Sequence, residues 1–143
     1  MEYKFIIIPL AVVIINQIIK LVLEMFKGNF SWPKLLGYGG MPSSHSALVT
    51  SLLIVLGYYQ GLKSPEFAIA AIVAMITIKD AAGIRWQLGS HGRILNQLVK
   101  ELPNKKEYKY PILNERFGHT SLEVLVGVLL GIVLTVLAIL IWK

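Results

Sequence analysis

Gly39-Gly40-Met41-Pro42-Ser43-Ser44-His45-Ser46-Ala47-Leu48-Val49 carries the chain from flexible backbone, through a proline, into apolar sequence, with a histidine at the junction. Ser43 or Ser44 suits the cap of a helix running from Ser44 to Tyr59, its hydroxyl accepting a backbone N–H that the first turn leaves unpaired. The free N–H groups of that turn converge, and the helix field favours negative charge beside them. Gly37, Gly39 and Gly40 let the preceding backbone fold closely around an anion. The stretch predicts an oxyanion site at the mouth of a hydrophobic helix.

The flanking sequence makes that helix one of several in a membrane. The chain has 143 residues, 55% of them hydrophobic and only 15% charged, a balance that a soluble domain seldom shows. Two long apolar runs, Phe5 to Phe26 and Thr120 to Trp142, are each long enough at 1.5 Å per residue to cross a hydrocarbon layer of roughly 30 Å. The first lacks the basic leader and small-residue cleavage site of a signal peptide. Cysteine is absent, which excludes disulfide and thiol chemistry. The formal charge of +6 comes without a compact basic motif, so anionic headgroups are the expected partner and nucleic acid is not.

The expected fold is all-α, a compact polytopic membrane bundle forming one domain over residues 1–143, with about four transmembrane helices and a short interfacial helix. In the first helix Asn16, Lys20 and Glu24 fall four apart and turn one polar face inward; an ion pair between Lys20 and Glu24 is the expected use. Gln60-Gly61-Leu62-Lys63 makes a turn, and Ser64-Pro65-Glu66 starts a third helix with cap, proline and acid in sequence. That helix runs to Ile78 and on toward Trp86. Ile94, Leu95, Leu98 and Leu102 then recur at helical spacing, for a short helix at the interface or over the bundle, followed by a loop or small lid over 104–116. Gly127 and Gly131 permit close helix packing, within the chain or between copies. Most Lys and Arg residues fall in the segments 27–43 and 79–118, so the positive-inside bias predicts a cytoplasmic site in the cell membrane.

His45 and His119 each stand at the mouth of an apolar helix on that side. Imidazole exchanges protons near neutral pH, so one ring can attack phosphorus while the other protonates a departing oxygen. Glu123 lies one turn beyond His119. Its carboxylate can orient the imidazole, or it can close a capping box with Thr120. Lys34, Arg85 and Arg116, with Ser43 and Ser44, are the candidate phosphate-binding groups. Asp80, five residues before Arg85, is expected to position that arginine. His91 stands apart, as a surface or lid residue. No metal and no cofactor is assigned.

Three runs, Lys34 with Gly39 to His45, Asp80-Ala81-Ala82-Gly83-Ile84-Arg85, and Gly118 to Gly127, resemble in the same order the divergent members of the PAP2 phosphatase superfamily. These are relatives of acid phosphatases and vanadium-dependent haloperoxidases. By that resemblance, Pro42-Ser43-Ser44-His45 fills the Pro-Ser-Gly-His motif, with Ser44 for glycine and His45 as leaving-group acid. His119 falls at the nucleophile, Glu123 replaces the orienting aspartate, and Arg116 stands closer to the histidine than the usual arginine. Lys34 resembles the first motif's lysine. Met41 occupies the place of that motif's arginine, and Arg85 is the residue able to restore its charge. PAP2 membrane enzymes commonly have six spanning helices, so a four-helix chain works alone or completes its groove as a homodimer. The resemblance implies hydrolysis of a phosphate ester or pyrophosphate on a membrane phospholipid or polyprenyl phosphate, through a phosphohistidine. The alternative is a non-catalytic phospholipid-binding or transport protein that keeps the phosphate site.

Overall fold

The computed structural model describes residues 3–26, 40–102, 111–113, 115 and 118–142. Its described elements are helices: α1 Lys4–Phe26, α2 Ser44–Tyr59, α3 Pro65–Ala82, α4 Ile84–Glu101 and α5 Ser121–Ile141. Three stretches are long and apolar enough to cross a membrane: α1, α3 with its continuation into α4, and α5. The shorter apolar helix is α2. Large apolar side chains stay exposed on the outer faces, among them Leu10, Ile14 and Ile18 of α1, Ile72 and Met75 of α3, and Leu129, Val133 and Leu140 of α5. This is the surface that hydrocarbon covers. The protein is an integral membrane helical bundle.

The hub is the shortest helix. α2 packs against α1, α3 and α5, while α1 and α5 touch more sparsely. Small residues make this possible. On the α5 side, a methyl group added at Gly127 would strike the backbone of Ser43, and one at Gly131 would lie 2.8 Å from the Ala47 carbonyl oxygen. Gly127 and Gly131 thus serve close packing within the chain, the first of the two uses expected of them. One turn on, Thr135 Oγ1 lies 2.7 Å from Ser51 Oγ, and both hydroxyls are fully buried. Toward α3, Gly57 leaves room for the Phe67 ring. At the end of α2 remote from the histidines, Ile8, Val55 and Ile139 form an apolar cluster flanked by Phe5, Ile54, Tyr59 and Ala138.

Local signals set most boundaries. The Ser43 hydroxyl caps α2, accepting from Ser46 N at 3.4 Å, and Ser64 caps α3, accepting from Phe67 N at 3.1 Å with Pro65 in the first turn. Gly61, at φ +90°, turns the chain between them. One boundary differs from expectation. The helix predicted near residues 94–102 begins at Ile84, immediately after a break at Gly83 where φ is −108° and ψ −94°. Gly89 and Gly92 look like punctuation in the sequence, yet glycine costs only about 1 kcal/mol within a helix. Both are buried. The loop expected over 104–116 lies mostly outside the described residues.

Candidate active site

The C-terminal half of α1, the start of α2, the α3–α4 junction and the start of α5 meet at one end of the bundle. Backbone hydrogen bonds lock three of them together. Ser43 N donates to the Glu123 carbonyl at 3.2 Å, and His119 N donates to the Ala81 carbonyl at 3.1 Å. Gly118, at φ +86°, lies so close to the Arg85–Trp86 backbone that any side chain there would collide with it. The segment entering α5 is thereby pinned to the α3–α4 junction, and His119 follows directly.

His119 is buried, its side chain 8% exposed, with Nδ1 3.2 Å from Glu123 Oε2. The same carboxylate oxygen accepts from Thr120 N at 3.1 Å, and Thr120 Oγ1 accepts from Glu123 N at 3.3 Å, completing a capping box. The two roles weighed for Glu123 are therefore not alternatives. One oxygen closes the helix and holds the imidazole. With Nδ1–H donated to the carboxylate, Nε2 keeps its lone pair. Burial pushes the His119 imidazole below the ordinary histidine value, and the Glu123 carboxylate opposes that shift without cancelling it.

His45 stands in the first turn of α2 and is exposed. The charges of Arg85, Asp80 and Lys20 act on it, and those of Glu123, Lys20 and His45 act on His119. The two histidines thus share one charged neighbourhood. Arg85 Nε donates to Asp80 Oδ2 at 2.6 Å, with both side chains more than a third exposed. This is the positioning expected of Asp80. It contributes orientation more than stability, since a half-exposed pair is worth little. Ser44 Oγ accepts from Asn16 Nδ2 at 3.0 Å. Ser43, named with Ser44 for anion binding, is fully buried, its hydroxyl capping α2 and its N–H on Glu123. Lys34 and Arg116 lie outside the described residues.

Two site residues were not legible as such. Asn16 is fully buried and Lys20 is 5% exposed, confirming the inward polar face of α1. The expected ion pair captures only part of their setting: Lys20 feels Glu123 as well as Glu24, and its Cε and Nζ lie against Gly40. Asn16 Oδ1 is buried without a hydrogen-bond partner, so the carboxamide keeps unspent polar capacity beside Ser44. The four-residue spacing gave away the face. Nothing local told that it abuts the glycine loop and the α2 cap.

Comparison with known proteins identifies the family of the chain. The sequence profile described as the divergent PAP2 family matches residues 1–134. An uncharacterized membrane protein of Bacillus subtilis (strain 168), YuiD, is 38% identical over 138 residues, covering 88% of this chain and 87% of its own. No solved structure matches the chain. A profile spanning residues 1–134, with a membrane-protein relative 38% identical over most of both chains, settles the kinship: the chain belongs to the divergent PAP2 family.

Proposed function

We propose that the protein is a phosphatase that hydrolyses a phosphate ester or pyrophosphate carried by a membrane lipid. The observation that carries this reading is the buried His119 imidazole held through Nδ1 by Glu123, beside the α2 turn that bears His45. Nε2 of His119 attacks phosphorus, and the bond to the leaving oxygen breaks as His45 delivers a proton to it. The positive charge formed on the phosphohistidine is balanced by Glu123. Water then attacks the phosphohistidine, giving up a proton to His45, and inorganic phosphate leaves with His119 restored. Lys20 and Arg85, together with Lys34 and Arg116, neutralise the phosphoryl oxygens. Residues 1–143 work as one domain with the site on the cytoplasmic face, a reading supported by the basic bias of segments 27–43 and 79–118. A homodimer is the arrangement in which four helices per chain enclose a lipid groove.

The test is reconstitution in lipid with phosphatidate, phosphatidylglycerophosphate or a polyprenyl pyrophosphate, measuring phosphate release and acid-labile phosphoprotein. Wild type is expected to turn over and to be trapped as phosphohistidine. His119→Ala is expected to bind substrate without releasing phosphate. Folded wild type that binds phosphate-headgroup lipid saturably, releases nothing, and is unchanged in binding by His119→Ala would establish the non-catalytic lipid-binding reading instead.

A further inference from the structure

Ile84, Leu88, His91, Leu95, Leu98 and Leu102 follow one another at alternating steps of four and three, so a single narrow seam runs the length of α4. The five apolar members are between 44% and 65% exposed, and His91 is exposed among them. α4 makes its helix contacts with α3, from which it emerges, and does not lie along α1, α2 or α5. Another of its sides is already taken. The Asn96 carboxamide donates to the Leu113 carbonyl and accepts from Leu113 N, each at 2.9 Å, and donates to Glu115, which also pairs with Arg93.

We propose that α4 is a docking helix for an anionic lipid surface, its leucine seam set into the acyl boundary and its basic side among the headgroups. Three observations choose this occupant. α3 is a membrane-spanning helix that ends at Ala82, so the seam, starting at Ile84, begins where the span leaves the hydrocarbon. Gly83, at φ −108° and ψ −94°, interrupts the helix between α3 and α4. Away from the seam the helix carries Arg93, 71% exposed though 3.7 Å from Glu115, and exposed Lys100 next to Glu101, with Trp86 exposed near its start and Arg85 in its first turn. Basic residues beside a leucine stripe, with an indole at the interface, match a negatively charged leaflet. Docking has a consequence for the site. The first turn of α4 bears Arg85, and Gly118, just before His119, packs on the Arg85–Trp86 backbone, so the depth of α4 sets the height of both. The proposal stands whether or not the site turns over.

The chain has no cysteine, so single cysteines report cleanly. Leu95→Cys and Leu98→Cys on the seam, and Gln97→Cys and Lys100→Cys off it, are labelled with an environment-sensitive dye in the full-length protein. Vesicles contain brominated acyl chains, with and without phosphatidylglycerol. Seam positions are expected to be quenched and off-seam positions spared, more strongly with the anionic lipid. Alkylation by iodoacetamide, which adds no dye, is expected to show the opposite alternation. Arg93→Gln and Lys100→Gln are each expected to lower the docked-to-free ratio about fivefold in anionic vesicles. Equal, weak quenching on and off the seam with uniformly fast alkylation overturns the proposal. So does quenching indifferent to lipid charge. Cross-linking of unquenched Leu95→Cys between copies at high lipid-to-protein ratio also overturns it, assigning the seam to a second copy.

Discussion

Glu123 holds two structures with one carboxylate, and the proposed chemistry requires that its two duties come apart under mutation. Thr120→Ala removes the hydroxyl that accepts Glu123 N at 3.3 Å but keeps the residue 120 backbone N–H and the contact with His119. It is expected to cost about 1 kcal/mol of stability, the ordinary value of a helix cap, and little activity. Glu123→Gln keeps a side chain that a capping box accepts but removes the charge facing His119 Nδ1 at 3.2 Å. Its loss of helix-end charge is worth about 0.3–1 kcal/mol. Its loss in the transition state is larger, because a hydrogen bond to a charged group contributes about 1.5–3 kcal/mol. At about 1.4 kcal/mol per factor of ten, the rate should fall roughly 10- to 150-fold. Thermal unfolding in detergent and initial rates of phosphate release in lipid measure the two axes separately. The expected result is a crossover, with Thr120→Ala the less stable variant and Glu123→Gln the slower one. Activity lost in proportion to stability in both variants would mean that Glu123 is only a cap, and the nucleophile assignment would fall with it.

Other outcomes follow from the same geometry. Because burial lowers the His119 imidazole below the ordinary value of 6.5, the unfolded chain takes up that proton first as pH falls. Stability from this group is therefore complete above about 6.5 and declines as pH drops toward the lower folded value; Glu123-intact His119→Gln should flatten that part of a pH–unfolding profile. Gly127→Ala should cost about 1–3 kcal/mol by overpacking, more than Gly131→Ala, since its added methyl meets Ser43 backbone more closely than the 2.8 Å contact at Gly131; equal unfolding midpoints would contradict the α2–α5 packing. Lys20→Met should weaken binding of phosphate-headgroup lipid about tenfold or more, the value of a charge-assisted contact, whereas Lys20→Arg should retain much of it. Equal loss in both, matched by equal loss of stability, would leave Lys20 a packing residue.

Element identity was readable where one local signal sufficed. Ser43, Ser64 with Pro65, and Thr120 each announce a helix start, and all three are caps in the fold. The apolar runs told of the bilayer because hydrocarbon length is a simple ruler. The extent of α4 was hidden, since Gly89 and Gly92 weaken a helix by little while resembling breaks. The site was half visible. Glu123 at four residues from His119 and Asp80 at five from Arg85 are local pairs, and both meet as spacing suggested. Lys20 and Asn16 were invisible as site members because Gly40, Ser44 and Glu123, which place them there, lie twenty or more residues away. Only the packing of α1 on α2 brings that polar face to the glycine loop and the capping serines.

The central position of α2 bears on how the chain enters the bilayer at all. Sixteen residues give about 24 Å of helix, short of a hydrocarbon core of roughly 30 Å, and Ser46, Thr50 and Ser51 along it disfavour lipid contact. Such a segment is a poor candidate for release into the membrane on its own hydrophobicity. Its neighbours α1, α3 and α5 carry the apolar length it lacks, and Thr50 and Ser51 lie against Gly131 and Thr135 of α5. Biogenesis must therefore hold α2 beside α1 until α3 and α5, which follow it in the chain, complete its shelter. A ribosome stalled before α5 should leave α2 exposed to the membrane's quality control, although the 120 residues before Ser121 have already been made.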